Sequence, residues 1–175
     1  MRSRTIIELV GFQIVWCVCA FSAANGSTTP ALLASVMFTS AVVWWNRMSV
    51  RLAALAAVSA TAGFLTETLI TRLAFVSHVT TWPSPQLAPA WIVGLWLAFG
   101  VTLPATVSIL GRRPVPKSVL AGAVFGPLAY AAGSRIGALH VAEPAFPSYV
   151  AIAGLWAAVL PLLIIAVHRG AMVRR

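Results

Sequence analysis

Few residues in this chain could do chemistry, and the first of them is Glu67. It lies in an apolar run, LAALAAVSATAGFLTETLITRLAFVSH, from Leu52 to His78. The run is long enough to cross a bilayer as a helix. A carboxylate inside hydrocarbon is costly unless it is paired, hydrated or protonated, so an intramembrane acid marks a candidate site. At 100° per residue, Ala53, Ala56, Ala60, Gly63, Thr71, Ala74 and His78 fall within about 40° of Glu67. The acid therefore sits in a narrow face of small residues, of the kind that lets membrane helices approach closely. Arg72 points about 140° away and is not its intrahelical partner.

A second run supplies a candidate partner. Gly122, Gly126, Gly133 and Gly137 share one face within about 60°, with two GxxxG spacings, and predict a close-packed seam. With Gly63 they form the expected helix-packing set, the glycine face lying opposite the small face around Glu67. Tyr130 is at the edge of this face. Counted along their spans, Glu67 and Tyr130 both fall just past the bilayer midplane. The expectation is that Tyr130 is the nearest donor to Glu67, with Arg135 the alternative if the helix rotates. Glu67 as general acid and Tyr130 form the candidate catalytic pair. Trp91, Trp96, Arg135, His78 and His140 are the candidate lining of a substrate pocket, the two histidines capping the seam at its outer end.

Other chemistry is missing. There is no HExxH, P-loop or GxSxG motif, and no cluster of Cys and His at metal-ligand spacing. No metal or cofactor is expected. Cys17 and Cys19 would point about 200° apart on a helix and cannot chelate together.

The elements that must position these residues follow from composition. The chain has 175 residues, 60% hydrophobic and 9% charged, with a mean hydropathy of +0.93. That describes a polytopic membrane protein. We expect an all-α fold in one domain, residues 1–175, a compact bundle of six transmembrane helices. The expected spans are about 5–24, 30–45, 52–77, 89–110, 119–139 and 147–167. A cleaved signal peptide at the N-terminus is a weaker alternative, since Glu8 and Gln13 interrupt the first run. The net charge of +9 does not indicate nucleic acid, because the charges are dispersed at helix ends. Arg2, Arg4, Arg47, Arg51, Arg112, Arg113, Lys117, Arg169, Arg174 and Arg175 all fall in alternate segments. The positive-inside rule then places both termini in the cytoplasm. No internal repeat is legible.

Four stretches resemble one bacterial family of integral membrane proteins, domain of unknown function 2878. They are GFQIVW (Gly11 to Trp16), GFLTETLI (Gly63 to Ile70), PAWIVGLWLAFGVTL (Pro89 to Leu103) and GPLAYAAGSRIGAL (Gly126 to Leu139), with a late Trp156 followed by Pro161. The family pattern usually carries Asp at the position of Glu67 and Asn at that of Glu8. The resemblance implies a small multi-pass protein of the bacterial inner membrane and brings no catalytic residues with it.

Three functions compete. The scarcity of polar groups favours a non-catalytic assembly or scaffold component, partnered by a membrane protein or a second copy of itself. An intramembrane enzyme or binder for a lipid or isoprenoid is the alternative, and a small proton-coupled permease the third. A deep apolar pocket open sideways to lipid would favour the lipid reading. A polar path to both sides would favour the permease, and packing without a cavity the scaffold.

Overall fold

The computed structural model describes residues 2–172, and side chains for 3–169. Arg174 and Arg175, and the side chain of Arg2, lie outside them. The chain forms α1 (Arg2–Ala24), α2 (Thr29–Trp45), α3 (Val50–Arg72), β1 (Val76–His78), α4 (Ala90–Leu110), α5 (Pro114–Ile136), β2 (Leu139–Val141) and α6 (Ala145–Met172). The fold is all-helical apart from the two short strands. Five of the helices are long and apolar enough to cross a membrane, and α2, with 17 residues, is a shorter apolar helix. Successive helices alternate in direction. One end of the bundle carries the basic turns, the other the strands.

Two expected spans end early. The runs over 52–77 and 119–139 stop as helices at Arg72 and Ile136. Ala74 (φ 57°) and Gly137 (φ 87°) then turn left-handed, a common way to end a helix. The residues beyond pair as an antiparallel ladder, Val76 with Val141, Ser77 with His140 and His78 with Leu139. Side chains alternate across such a ladder, so Val76, His78 and Leu139 turn inward and Ser77 and His140 outward.

The small residues are spent on close approach, but not between the helices expected. The stripe Leu52, Leu55, Ala56, Ser59, Gly63, Thr66, Glu67 and Ile70 is buried, and much of it faces α4. A Cβ on Gly100 would lie 2.6 Å from the Cα of Ala56, and one on Gly63 would lie 2.1 Å from Cγ of Trp96. Ser59 donates to the carbonyl of Trp96 at 2.7 Å. The glycine face of α5 packs on α6 instead of α3. A Cβ on Gly122 would lie 2.3 Å from the carbonyl oxygen of Trp156, and one on Gly126 would lie 2.6 Å from Cγ of its ring. Helices α1 and α2 pack on α4. Thr80, after β1, donates to the carbonyl of Ala23 at 2.8 Å, which ties the strand end to α1.

The structure also contains a repeat. Helix, strand and helix α3–β1–α4 is followed by α5–β2–α6, with matched positions 63 residues apart through the first helix and strand. Glu67 matches Tyr130, Arg72 matches Arg135, and Ala74 matches Gly137. Ser77 matches His140, and these two pair with each other. Val79 N–H donates to the Ala138 carbonyl and Ala142 N–H to the Phe75 carbonyl, the same bond seen from each half. The two halves are thus related by an approximate twofold axis through the Ser77–His140 pair.

Candidate functional site

The axis continues from the strands into the bundle, where it meets the polar groups. Tyr130 donates its hydroxyl to Oε1 of Glu67 at 2.5 Å. The indole Nε1 of Trp96 donates to the same oxygen at 3.2 Å. Glu67 is 2% exposed, and Tyr130 and Trp96 are also buried. The rings of Trp96 and Trp156 stack with centroids 4.8 Å apart. Each tryptophan rests on the glycine of the opposite helix of its own half, Trp96 on Gly63 and Trp156 on Gly126. Removing two Cβ atoms makes room for two large rings, and the rings fill the space between the halves. Gly63 and Gly126 each precede the polar residue by one helical turn, which sets Glu67 and Tyr130 beside the stack.

The second carboxylate oxygen differs. Oε2 of Glu67 has no hydrogen-bond partner among the described residues, nor has Nε2 of His78, 4.0 Å away. Burial pushes the His78 imidazole down to about 4, so at neutral pH it carries no charge and the contact is not an ion pair. Its ring meets Trp91 edge-on, centroids 6.0 Å apart.

The remaining candidates separate. His140 and Arg135 are exposed. His140 faces outward because it is one residue out of phase with the inward positions of β2. Arg135 is in the last turn of α5, one face away from Tyr130, and does not reach Glu67. Arg72 is likewise exposed, with Nε 3.4 Å from the Gln86 carbonyl. Gly137 is a left-handed cap with open space where a Cβ would be, and Gly133 touches only Leu139 of the following strand. Those two are therefore no part of an interhelical seam. Trp156 is the residue that sequence reasoning left out of the site. Its equivalence to Trp96, 60 residues earlier, was the available signal.

Beside this cluster a cleft of about 690 Å³ runs between α1, α4 and α5. Its walls include Leu9, Phe12 and Trp16 of α1, Trp91 to Leu110 along α4, and Phe125 to Gly133 of α5. At about 1.5 Å per residue, the α4 wall is about 28 Å long. Glu67, Trp96, Tyr130 and Trp156 line it, and His78 does not. Phe125 and Leu128, 67% and 55% exposed, stand at its edge on the outer surface of α5. The cleft therefore opens on the side of the bundle. Among the described residues, no group of three or more His, Cys, Asp or Glu is placed to hold a metal ion.

Comparison with curated proteins gives no match, and no solved structure matches either. A family model, described as protein of unknown function DUF2878, matches residues 5–162. That span takes in Glu67, Tyr130, both stacked tryptophans and every wall of the cleft, and the chain belongs to this family.

Proposed function

We propose that this protein binds a long-chain amphiphile, a lipid or an isoprenoid, within the membrane. The apolar chain lies along the α4 wall and the polar end reaches Glu67 and Tyr130. One observation carries the reading, an apolar cleft of about 690 Å³ with a buried carboxylate in its wall. A scaffold built only for helix packing has no use for such a space, since a void forfeits the dispersion contacts that hold membrane helices together. A permease needs polar groups leading to both ends, and the rest of this lining is apolar or aromatic but for Gln13 and Thr106. Burying a polar group in hydrocarbon requires a partner, which Glu67 and Tyr130 supply.

The same reading places the basic end of the bundle, and both termini, in the cytoplasm of a bacterium, with the strand pair on the outer side. Reporter fusions after Asn46 and Arg113 are expected to read cytoplasmic, and one after Pro85 external. A cytoplasmic signal after Pro85 overturns the orientation.

The binding test is a plug. Ala129 is half-buried in the cleft wall beside Tyr130. Ala129→Trp fills the space while leaving the Trp96–Trp156 stack in place. Native mass spectrometry of wild-type protein from mild detergent is expected to show a retained apolar ligand, absent from the equally stable Ala129→Trp variant. Equal retention by both proteins sinks the reading.

A further inference from the structure

We propose that the polar end of this cleft takes a cationic head group, an ammonium carried on a long apolar chain. The inference rests on the reading of the cleft as an amphiphile site, and it concerns which head group the site selects.

The first argument is charge. The chain carries a net charge of +9, yet among the described residues no Lys or Arg lines the cleft, and Glu67 is the one carboxyl group in its lining. The groups packed on the carboxyl are Tyr130 from α5, Trp96 from α4 and His78 from β1. None of them brings a positive charge at neutral pH, since His78 is neutral when buried. Both arginines nearest in sequence, Arg72 and Arg135, are turned outward. A buried carboxyl group without a cation ionises only at a cost, and a cationic ligand is the partner that offsets it.

The second argument is hydrogen bonding. Oε1 of Glu67 accepts from both Tyr130 and Trp96, while Oε2, in a residue 2% exposed, accepts from no described residue. The arrangement fixes one oxygen and leaves the other, 4.0 Å from Nε2 of His78, without a donor among the described residues.

The third is the wall. Trp16, Trp91, Trp96, Trp156 and Tyr130 line the same cleft. Aromatic faces are the negative part of the ring quadrupole, and they hold organic cations, above all quaternary ammonium. The other head groups fit less well. A phosphate calls for an arginine fork and would meet a carboxylate. A neutral hydroxyl can bond to the carboxyl group but does not stabilise its ionised form. A metal ion lacks further ligands.

The test compares three amphiphiles with one chain, namely hexadecylammonium, whose head group both carries the charge and donates N–H, hexadecanol and hexadecyl phosphate. Each is titrated into the full chain in maltoside micelles, against protein-free micelles, reading tryptophan fluorescence. The ammonium is expected to bind at least about tenfold tighter than the alcohol, about 1.4 kcal/mol, with the phosphate weakest. Glu67→Gln keeps an acceptor for Tyr130 and Trp96 but not the charge, and is expected to bring the ammonium down to the level of the alcohol. If the three bind alike, if the alcohol or phosphate binds tightest, or if a folded Glu67→Gln keeps the ammonium preference, the head-group inference is overturned and the cleft reading stands. If nothing binds beyond protein-free micelles, both fall. Should Glu67→Gln fail to fold, the ranking in the wild-type protein decides alone.

Discussion

The two halves α3–β1–α4 and α5–β2–α6 use one packing device and put different chemistry on it. In each, a glycine on the first helix accepts a tryptophan from the second, and the residue one turn on reaches the axis. In the first half that residue is an acid, in the second a phenol. Because the axis brings matched positions face to face, two identical acids there would repel, whereas acid and phenol form a hydrogen bond. The halves differ again at their flanks. A Cβ on Gly94 of α4 would meet Leu32 and Ser35 of α2 at 3.2 and 3.3 Å, while Gly154, the matching position of α6, has open space. Helix α2 therefore seats on the first half at a position left open in the second, and α1, packed on α4 and touching α5, forms a wall of the cleft. The duplicated core makes the rigid seam, and the added pair makes the site asymmetric.

The largest effects should test the shared device. Gly63→Leu and Gly126→Leu are each expected to destabilise the fold by about 3 kcal/mol or more, beyond ordinary overpacking, because the stacked rings cannot retreat. Thermal unfolding in one detergent measures this. A large loss for one and none for the other breaks the equivalence of the halves.

A position swap sharpens it. Tyr130→Glu alone sets two acids together and Glu67→Tyr alone two phenols. Both should lose the charge-assisted bond, worth about 1.5–3 kcal/mol. The double variant Glu67→Tyr with Tyr130→Glu rebuilds the pair across the axis and should recover most of that stability. A double variant as unstable as the sum of the singles would falsify the twofold relation at the site.

The strands give a smaller, pH-dependent contrast. His78 is buried with its imidazole down at about 4, against about 6.5 in an unfolded chain. The folded state then binds fewer protons than the unfolded one in this window. Stability is held above about pH 6.5 and lost as the pH falls toward about 4. His78→Val, the residue at the matching position 141, should flatten that part of the stability curve. Unfolding curves across the window decide, and an unchanged slope in His78→Val would remove the imidazole from the account.

The smallest effect lies at the flanks. Gly154→Ala is expected to be neutral or stabilising by up to about 1 kcal/mol, the helix propensity of alanine over glycine. Gly94→Ala should gain less or lose, because its new methyl must displace α2. Equal gains at both would show that α2 does not seat against Gly94.

The sequence by itself determined the membrane-helical class, because apolar runs of bilayer length admit few other folds. It determined that Glu67 would need a partner, because the cost of an unpaired acid in hydrocarbon does not depend on the fold. Equal depth along parallel spans was enough to name Tyr130. Helical phase alone found the close approaches at Gly63, Gly122 and Gly126 but gave them the wrong neighbours and added Gly133 and Gly137, since a face of small residues says that something approaches closely but not which helix does. It also carried α3 and α5 on into β1 and β2, because Phe75, Val76 and Leu139 are as apolar in a strand as in a helix. The repeat stayed hidden because the two stretches from Gly63 and Gly126 share only glycine, leucine and arginine at matched positions, and one axial pair was made complementary in place of identical. Only the tertiary structure could decide that two tryptophans from α4 and α6 stack between the halves, that His78 turns inward while His140 turns out, and that α1 stands over a cleft. Each of these depends on contacts between segments far apart in the chain, which local periodicity does not encode.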